Sequence, residues 1–330
     1  MPARYAWRLL RAGEFRLDGG SMFGLIPRTV WSRSVPTDDK GRITVHHNCL
    51  LLERSGDATD AQGRVVESPK LVLIEAGTGD KLDARSMDLF AMQPRTVLDA
   101  LNEAECRPED IGAVLVSHLH FDHAGGLTRL ARAGEKPEWT GPAGGMAGAR
   151  PDHGVVRSFP NATLHVQRQE WDDALANRSV MTRTYFADHL QPMHGHVKLI
   201  DAPAPFERWR TPDRDEPPLL TFEQRAAEAL PGVRTLRVPG HTWGQQAVLF
   251  TDTNGQTVVF TPDVMPTAAH AGAAYSLAYD VEPYTTMVTK TWFLAAAAER
   301  DWLLVLDHEP GEPLRRARKN DKGWFDLVGA

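Results

Sequence analysis

The stretch Val114–Leu127, VLVSHLHFDHAGGL, places three histidines and one aspartate within six residues, directly after an apolar run. That run, Ile111–Val116 (IGAVLV), has the length and β-branched content of a buried strand, so the polar side chains follow at its exit. Imidazole nitrogens and carboxylate oxygens are the ligands that zinc and similar divalent ions accept. Four such groups at one bend indicate a metal site rather than an ordinary polar loop.

Further ligands are expected from elsewhere in the chain, because a loop of this length cannot surround an ion. Three ligand-type residues each follow an apolar, strand-like run: His241 in VPGHTWG, Asp263 in VVFTPDVMP and His308 in LLVLDHEP. Metal-ligand residues that directly follow several strands would meet at one edge of the folded sheets. The sequence thus predicts a site that is assembled from distant segments.

The remaining patterns favour a layered α/β architecture. Apolar runs bounded by turn residues predict strands at Arg42–Leu52, Lys70–Ile74, Ile111–Val116, Thr163–Val166, Val233–Val238, Gln246–Phe250, Thr257–Phe260 and Trp302–Leu306. Helical periodicity predicts helices at Pro94–Ala104, Glu170–Ala176 and Pro283–Glu299. The Asn-Gly pair in TDTNGQT, Thr251–Thr257, predicts a hairpin. This order favours two sheets back to back with helices outside.

Chain length and composition are those of an ordinary globular protein. With 330 residues, of which 42% are hydrophobic and 24% charged, the chain can bury a sizeable core. No linker-like stretch divides it, so residues 1–330 are predicted to form a single domain. The Gly- and Pro-rich stretch Glu138–Gly154 is predicted to be a surface loop within that domain.

Charge and cysteine usage bear on partners and compartment. A net charge of -6 gives no general attraction to nucleic acid or to an anionic membrane, and neither is expected as a partner. The basic cluster Arg315–Asn320, RRARKN, is predicted to be a solvated tail. Cys49 and Cys106 form no disulfide pattern, which favours the cytoplasm. The arginine-rich N-terminus is unlike a secretory signal, and no segment reaches membrane-spanning length.

Taken in order, HLHFDH, GHT, TPD and LDHEP resemble the metallo-beta-lactamase superfamily of metallohydrolases over nearly the whole chain. The resemblance implies an α/β (α+β) fold: a four-layer αβ/βα sandwich of two mixed β-sheets flanked by helices, with metals at the open edge of the sheets. It also implies two ions per chain, Zn²⁺ first, with Fe, Mn or Co also suited to such ligands. By position, His118, His120 and His241 would hold one ion, Asp122, His123 and His308 the other, and Asp263 would bridge them.

The activity that this resemblance implies is hydrolysis. Two neighbouring divalent ions lower the pKa of a shared water toward 7, which supplies a hydroxide nucleophile at neutral pH. Asp122 is the candidate to pass a proton to the leaving oxygen. The predicted substrate is a small-molecule lactone or other carboxylic ester. Phosphotriesterase or phosphodiesterase activity and glyoxalase-type thioesterase activity are the alternatives on the same site, and a non-catalytic metal-binding sensor is the alternative of another class.

Softer matches, among them SMFG, HVQRQEWDDA and AYDVEP, are most similar to the lactonase and ester-hydrolase branch. The lactonase pattern places a tyrosine shortly after the bridging aspartate, and this chain has none in Asp263–Pro266. Residues near the motif loops are the candidates for substrate contact: Met22, Phe23, Tyr185, Trp243, His270 and Tyr275. The repeat His194-Gly-His196 lacks a following Asp-His and is predicted to be a surface loop. Base rates for soluble enzymes predict a homodimer.

Overall fold

The structure is a computed structural model that describes residues 3–59, 63–141, 153–180, 184–207, 211–213 and 216–330. In these ranges the strands are β1 (Arg4–Asp18), β2 (Arg42–Ser55), β3 (Leu71–Ile74), β4 (Ile111–Leu115), β5 (Thr128–Leu130), β6 (Trp139–Gly141), β7 (His153–Arg157), β8 (Thr163–Gln167), β9 (Val197–Ile200), β10 (Ala226–Leu230), β11 (Val233–Arg237), β12 (Gln246–Thr251), β13 (Thr257–Thr261), β14 (Leu303–Leu306), β15 (Leu314–Lys319) and β16 (Phe325–Gly329).

The α-helices of the same ranges are mostly short and connect the strands. They are α1 (Gly19–Phe23), α2 (Arg28–Trp31), α3 (Ala84–Leu89), α4 (Val97–Glu103), α5 (Phe121–Ala124), α6 (Arg168–Leu175), α7 (Ala187–Leu190), α8 (Phe222–Arg225) and α9 (Pro283–Glu299). Single turns of 3₁₀ helix occur at Pro108–Asp110, Gly125–Leu127, Gln191–Met193 and Ala268–His270.

Two mixed sheets form the centre of the fold. The first has the strand order β1-β2-β3-β4-β8-β9, antiparallel through β3 and parallel from β3 to β9. The second runs from β10 to β16 in chain order, with β13 and β14 as its parallel pair. A small antiparallel sheet, β5-β7-β6, lies beside them. The predicted pair of mixed sheets is confirmed.

The central strands are buried on both faces, which requires a layer of structure on each side of every sheet. In β14, Leu303 and Val305 belong to the core between the two sheets, while Leu304 and Leu306 belong to the core against α9. Alternation along a strand sends successive side chains to opposite faces, so a run of four apolar residues is what a doubly covered strand requires. On the first sheet, α4 and α6 pack against the outer face in the same way. The order helix, sheet, sheet, helix is the predicted four-layer sandwich.

Some predictions for single elements agree with the structure and others are wrong. Helix α9 begins and ends where the sequence places it, and the Asn-Gly turn joins the antiparallel pair β12 and β13. The prediction of a solvated tail at Arg315–Asn320 is wrong, because Leu314–Lys319 is strand β15, paired on both sides, and Ala317 is fully buried. The predicted loop Glu138–Gly154 begins and ends in strands β6 and β7, and residues 142–152 of it lie outside the described residues.

Strand direction brings the predicted ligands to one edge. Strands β13 and β14 are parallel, so the residues that follow them leave the sheet at the same end. Strand β11 runs in the same direction, since two antiparallel pairings separate it from β13. A hydrogen bond from Gln246 N to Ser117 O, 2.9 Å long, joins this edge to the loop after β4 in the other sheet. Among the described helices, none has the length and apolar character needed to cross a bilayer.

Candidate metal centre

The loop after β4 is pressed against the segment that follows β3. A Cβ on Gly125 would lie 2.0 Å from Thr78 O, and one on Gly126 would lie 2.0 Å from Ala76 O. No side chain fits at those distances, so both glycines are required by the close backbone approach. The contact fixes the short helix α5, which carries Asp122 and His123, above the end of β3.

One half of the site consists of three buried histidines. One ligand atom from each of His118, His120 and His241 lies within 4.8 Å of the others. Nε2 of His241 and Nδ1 of His120 are 3.0 Å apart. Burial, reinforced by neighbouring imidazoles, holds the pKa of both His118 and His120 well below the ordinary value. The two imidazoles are therefore neutral, which is the form that binds a metal ion.

The other half is richer in carboxylates. His123, Asp263, Asp307 and His308 are all buried, and their ligand atoms lie within 4.8 Å of one another. Oδ2 of Asp122 lies 3.8 Å from Nε2 of His123 and 3.7 Å from Nε2 of His308. The seven residues that the sequence assigns to the metal site thus come together, and Asp307 joins them.

Asp263 stands between the two halves. Its Oδ2 lies 3.1 Å from Nε2 of His241, and its Oδ1 lies 3.4 Å from Nε2 of His308. Burial raises the pKa of Asp263, but the charges of His241 and His308 outweigh burial and hold that pKa well below its usual range. The carboxylate is ionised and can face both groups, as the predicted bridging position requires.

Hydrogen bonding shows that the site fits a cation. Nδ1 of His308 lies 2.8 Å from the carbonyl of His46, which only accepts, so this nitrogen holds the proton. Nδ1 of His123 faces the Glu75 carboxylate at 3.2 Å in the same way. Nε2 of each ring faces the carboxylates of Asp122 and Asp263, and the two Nε2 atoms are 3.2 Å apart. Two imidazole nitrogens and carboxylate oxygens at this spacing can bind one cation.

Three buried polar atoms without hydrogen-bond partners also indicate a cation site. Nε2 of His118, Nε2 of His120 and Oδ1 of Asp263 are buried without a hydrogen-bond partner among the described residues. A buried polar atom without a partner is costly, and these three belong to the two ligand groups. The donor set of imidazoles and carboxylates, with His118 and His120 neutral and Asp263 ionised, is suited to a divalent metal ion.

Outer carboxylates orient the ligands, and the sequence did not identify them. Glu75 adopts a left-handed backbone conformation, with φ of 69°, and its side chain accepts from Ser117 N at 2.6 Å. Asp280 lies 2.9 Å from Nδ1 of His241 and fixes the tautomer of that ring. Asp280 stands in the AYDVEP segment, but no sequence spacing identifies an acid that hydrogen-bonds to the far side of a ligand.

A cavity of about 730 Å³ opens onto the metal-binding residues. His120, Asp122, His241, Asp263 and His308 form part of its wall. Apolar side chains form much of the remainder: Leu17, Met22, Leu89, Phe90, Phe121 and Leu277. Basic side chains also line it, namely Arg16, Lys40, Arg42 and Arg85. Its size and its apolar walls are typical of a small-molecule site.

Of the six residues proposed for substrate contact, the structure places only Met22 on this cavity. Phe23 is buried in a stack between Trp31 and His270, with ring centroids 4.9 and 4.5 Å away. His270 is fully buried, and its Nε2 lies 2.8 Å from Met22 O. These two residues support the cavity wall from behind.

The other three also lie elsewhere. The Tyr185 hydroxyl donates to Glu170 at 3.1 Å, and the Trp243 indole donates to Glu282 at 2.7 Å. Tyr275 packs edge-on against Phe23. The tyrosine on the cavity wall is Tyr279, which the sequence did not single out, although it stands in the AYDVEP segment.

Comparison with known proteins agrees with this geometry. A family model described as the metallo-beta-lactamase superfamily matches residues 65–308. Probable metallo-hydrolases of Mycobacterium bovis and Mycobacterium tuberculosis are 27% identical over 217 residues, which cover 62% of this chain and 57% of each relative. The chain therefore spans less than two thirds of the length of these curated relatives.

Solved structures share the fold over nearly the full chain. A probable metal-dependent hydrolase from Staphylococcus aureus superposes with a TM-score of 0.71 at 20% identity, covering 100% of this chain and 99% of the other. AidC, a dizinc quorum-quenching lactonase in complex with the product N-hexanoyl-L-homoserine, gives a TM-score of 0.65 at 14% identity, covering 99% and 98%. The family match spans most of the sequence, and the sheets, the ligand loops and the superpositions agree with it, so the chain belongs to the metallo-beta-lactamase superfamily.

Proposed function

We propose that this chain is a dinuclear metal-dependent hydrolase that opens a lactone or cleaves another carboxylic ester. One observation supports this above all: Asp263 lies between two ligand groups, and ligands from both groups, His120, His241 and His308, line a cavity with apolar sides. His118, His120 and His241 would hold one ion, and Asp122, His123 and His308 would hold the other, with zinc as the expected metal. When bound, such ions polarise an ester carbonyl and lower the pKa of a water molecule toward neutrality.

The chain's own residues supply position and proton transfer. Apolar side chains such as Met22, Phe90 and Leu277 would hold the acyl part of an ester and exclude bulk water from the reacting bond. Oδ2 of Asp122 faces His123 and His308, which leaves Oδ1 of this cavity-lining residue to hold a proton and deliver it to the leaving oxygen. The Tyr279 hydroxyl would donate a hydrogen bond to the substrate oxygen.

A substrate panel with metal analysis tests the proposal. Protein purified without chelator is analysed for metal content and then assayed on lactone, aryl ester, thioester, phosphotriester and phosphodiester with zinc, manganese or cobalt. We expect about two ions per chain and fastest turnover on the lactone or the ester. Fewer than about one ion per chain contradicts the dinuclear site. Turnover confined to a thioester or to phosphorus selects one of those alternatives, and no turnover in metal-replete protein favours a sensor.

The role of Asp122 has its own test. Asp122→Asn keeps a ligand oxygen but removes the titratable group, so turnover should fall by roughly 10²-fold or more at unchanged metal content. Asp321→Asn, at an exposed position in the turn between β15 and β16, is the matched control and should behave as the unaltered protein. If Asp122→Asn retains both metals and full turnover, Asp122 transfers no proton.

A further inference from the structure

Asp307 is a buried carboxylate that the proposed mechanism does not use. Its backbone is held between two strands: its N donates to Thr261 O at 3.2 Å, and its carbonyl accepts from Asn48 N at 2.9 Å. The side chain is 2% exposed, and neither carboxylate oxygen has a hydrogen-bond partner among the described residues. The residue is therefore fixed in place with both oxygens unsatisfied.

Such a group needs a positive charge nearby. A carboxylate that is removed from water without hydrogen bonds or a counter-ion costs several kcal/mol. Among its described ionisable neighbours, Asp263 and Glu75 are themselves acids, and only the His123 imidazole opposes their charge. A metal ion in this half of the site would supply the missing charge.

A neutral molecule would not replace that charge. A small chamber of about 10 Å³ borders Asp307, Glu75, Asp122 and His123. It has room for about one water, which offers two donors and no net charge. Four carboxylates, those of Glu75, Asp122, Asp263 and Asp307, surround this part of the centre.

We propose that Asp307 is a further ligand of the second ion, so that the two metal positions differ in their preferred metal. The first position has three imidazoles and the shared Asp263. The second would have two imidazoles and three carboxylates, those of Asp122, Asp263 and Asp307. Carboxylate-rich positions suit harder ions such as Mn²⁺, whereas imidazole-rich positions suit Zn²⁺. This inference rests on the metal centre of the proposed function, but not on the reaction.

A metal competition measures the difference without an assay of activity. Because zinc binds most nitrogen and oxygen sites more tightly than manganese, metal-free protein is equilibrated with one equivalent of Zn²⁺ per chain and a large excess of Mn²⁺, passed through a desalting column and analysed for both elements, with Mn²⁺ spectroscopy as a second readout. We expect about one zinc and one manganese per chain in the unaltered protein. Uptake of zinc alone, with no manganese retained from the excess of Mn²⁺, would overturn the inference, and this arm needs no variant to fold.

Asp307→Asn and Asp307→Glu complete the experiment, with Asp321→Asn as the control at an exposed site. Asn keeps the shape of the side chain and removes the charge, so manganese retention should fall by about ten-fold or more, while the zinc of the first position remains. Glu keeps the carboxylate and should restore manganese. If Asp307 were a neutral carboxylic acid outside the metal shell, Asp307→Asn would match the unaltered protein, and the inference would be wrong.

The outcomes also separate this inference from the proposed function. A protein that binds two ions without preference and still hydrolyses an ester contradicts the role of Asp307 and leaves the hydrolase intact. A protein that binds zinc and manganese as expected and hydrolyses no substrate supports Asp307 and contradicts the hydrolase. A protein that binds no metal contradicts both.

Discussion

Tyr279 presents its phenol to the large cavity from the loop that precedes α9. Burial is the main cause that raises the pKa of Tyr279 to about 12, with a lowering contribution from Ser21 and a raising one from Asp18. The raised pKa keeps the hydroxyl protonated across the range in which the protein would be assayed. Tyr279 is thus a hydrogen-bond donor near Asp122 and Asp263, both of which line the same cavity.

Replacing this hydroxyl tests whether it binds the reacting oxygen. Tyr279→Phe should lower kcat on the preferred ester by roughly 10²-fold, as expected when one donor to a developing negative charge is removed. Metal content should not change, because the phenol is not among the ligand groups. Tyr275→Phe is the matched control, since Tyr275 packs against Phe23 away from the cavity. Loss of activity in the control and not in Tyr279→Phe would favour Tyr275 instead.

At the level of single residues, ligands were predictable and substrate contacts were not. A ligand such as His308 is recognisable because a strand exit and a metal-binding side chain coincide in the sequence. Asp307 stands beside it, but only the fold shows that its side chain faces the same centre. Phe23 and His270 were chosen because they are near motif residues in sequence, yet ring stacking buries both in the core.

Helix α6 joins two of the ligand loops through Glu170. This buried carboxylate accepts from Leu119 N at 2.9 Å and from the Thr242 hydroxyl at 2.6 Å, and thereby ties the loop after β4 to the loop that carries His241. The backbone of Gly244 approaches so closely that a Cβ there would lie 2.3 Å from Glu170 N. The helix therefore sets the distance between ligands that come from the two different sheets.

Glu170→Gln should loosen this link. The amide keeps one acceptor oxygen but replaces the other with an NH₂ group, which cannot accept a hydrogen bond. One donor therefore loses its partner, and we expect the free energy of unfolding to fall by about 1–3 kcal/mol. Affinity for the ion of the first position should fall by roughly 10- to 100-fold, measured by titration with a competing chelator. Asp172→Asn, on the exposed face of the same helix, should change neither quantity. Equal metal affinity in the two variants would show that Glu170 does not position the ligands.

Helices and strands were predictable where a single sequence pattern covers the segment, and not where a strand pattern coincides with a run of charged residues. The alanine-rich helix α9 has one consistent signal, and its predicted bounds agree with the structure. Strand β15 alternates charged residues on a solvated face with the buried Ala317, so its arginines resembled a free tail. Arg316 and Arg318 in fact pair with Asp301, at 2.9 and 2.8 Å. Charge alone does not distinguish a tail from the open face of a sheet.

At the scale of the molecule, the family-level architecture could be predicted, while the cavity could not. Ordered ligand motifs predict both the sandwich and the edge at which its metals bind, because strand direction places those residues at one end of the sheets. Apart from the ligand loops, the cavity is formed by β1, α1, α3 and the segment around Tyr279, which are far apart in sequence, so no single pattern shows that they meet. The homodimer, the cytoplasmic location and the absence of nucleic-acid and membrane partners remain predictions.

The distribution of charge gives a last expectation about the substrate. The chain carries a net charge of -6, yet four basic side chains line the large cavity, together with the acids Asp18 and Asp88 and the ligands Asp122 and Asp263. Arg42 is engaged with Asp38 and with the Leu89 carbonyl. In the described part of the chain, the Lys40 and Arg85 side chains make no hydrogen bond and no ion pair of their own. Two exposed cations at a cavity with apolar walls favour an ester that carries a negative group at the end away from the reacting bond.

A pair of substrates of equal length measures this preference: 4-nitrophenyl hemisuccinate, which is anionic, and 4-nitrophenyl butyrate, which is neutral. We expect Lys40→Ala and Arg85→Ala each to raise KM for the anionic ester by about five-fold, the equivalent of ~1 kcal/mol for one charge pair in water. KM for the neutral ester should not change, and the difference should shrink as salt screens the charges. Lys322→Ala, at an exposed turn between β15 and β16, controls for loss of net charge. An equal rise for both esters would mean that these side chains shape the cavity without selecting charge.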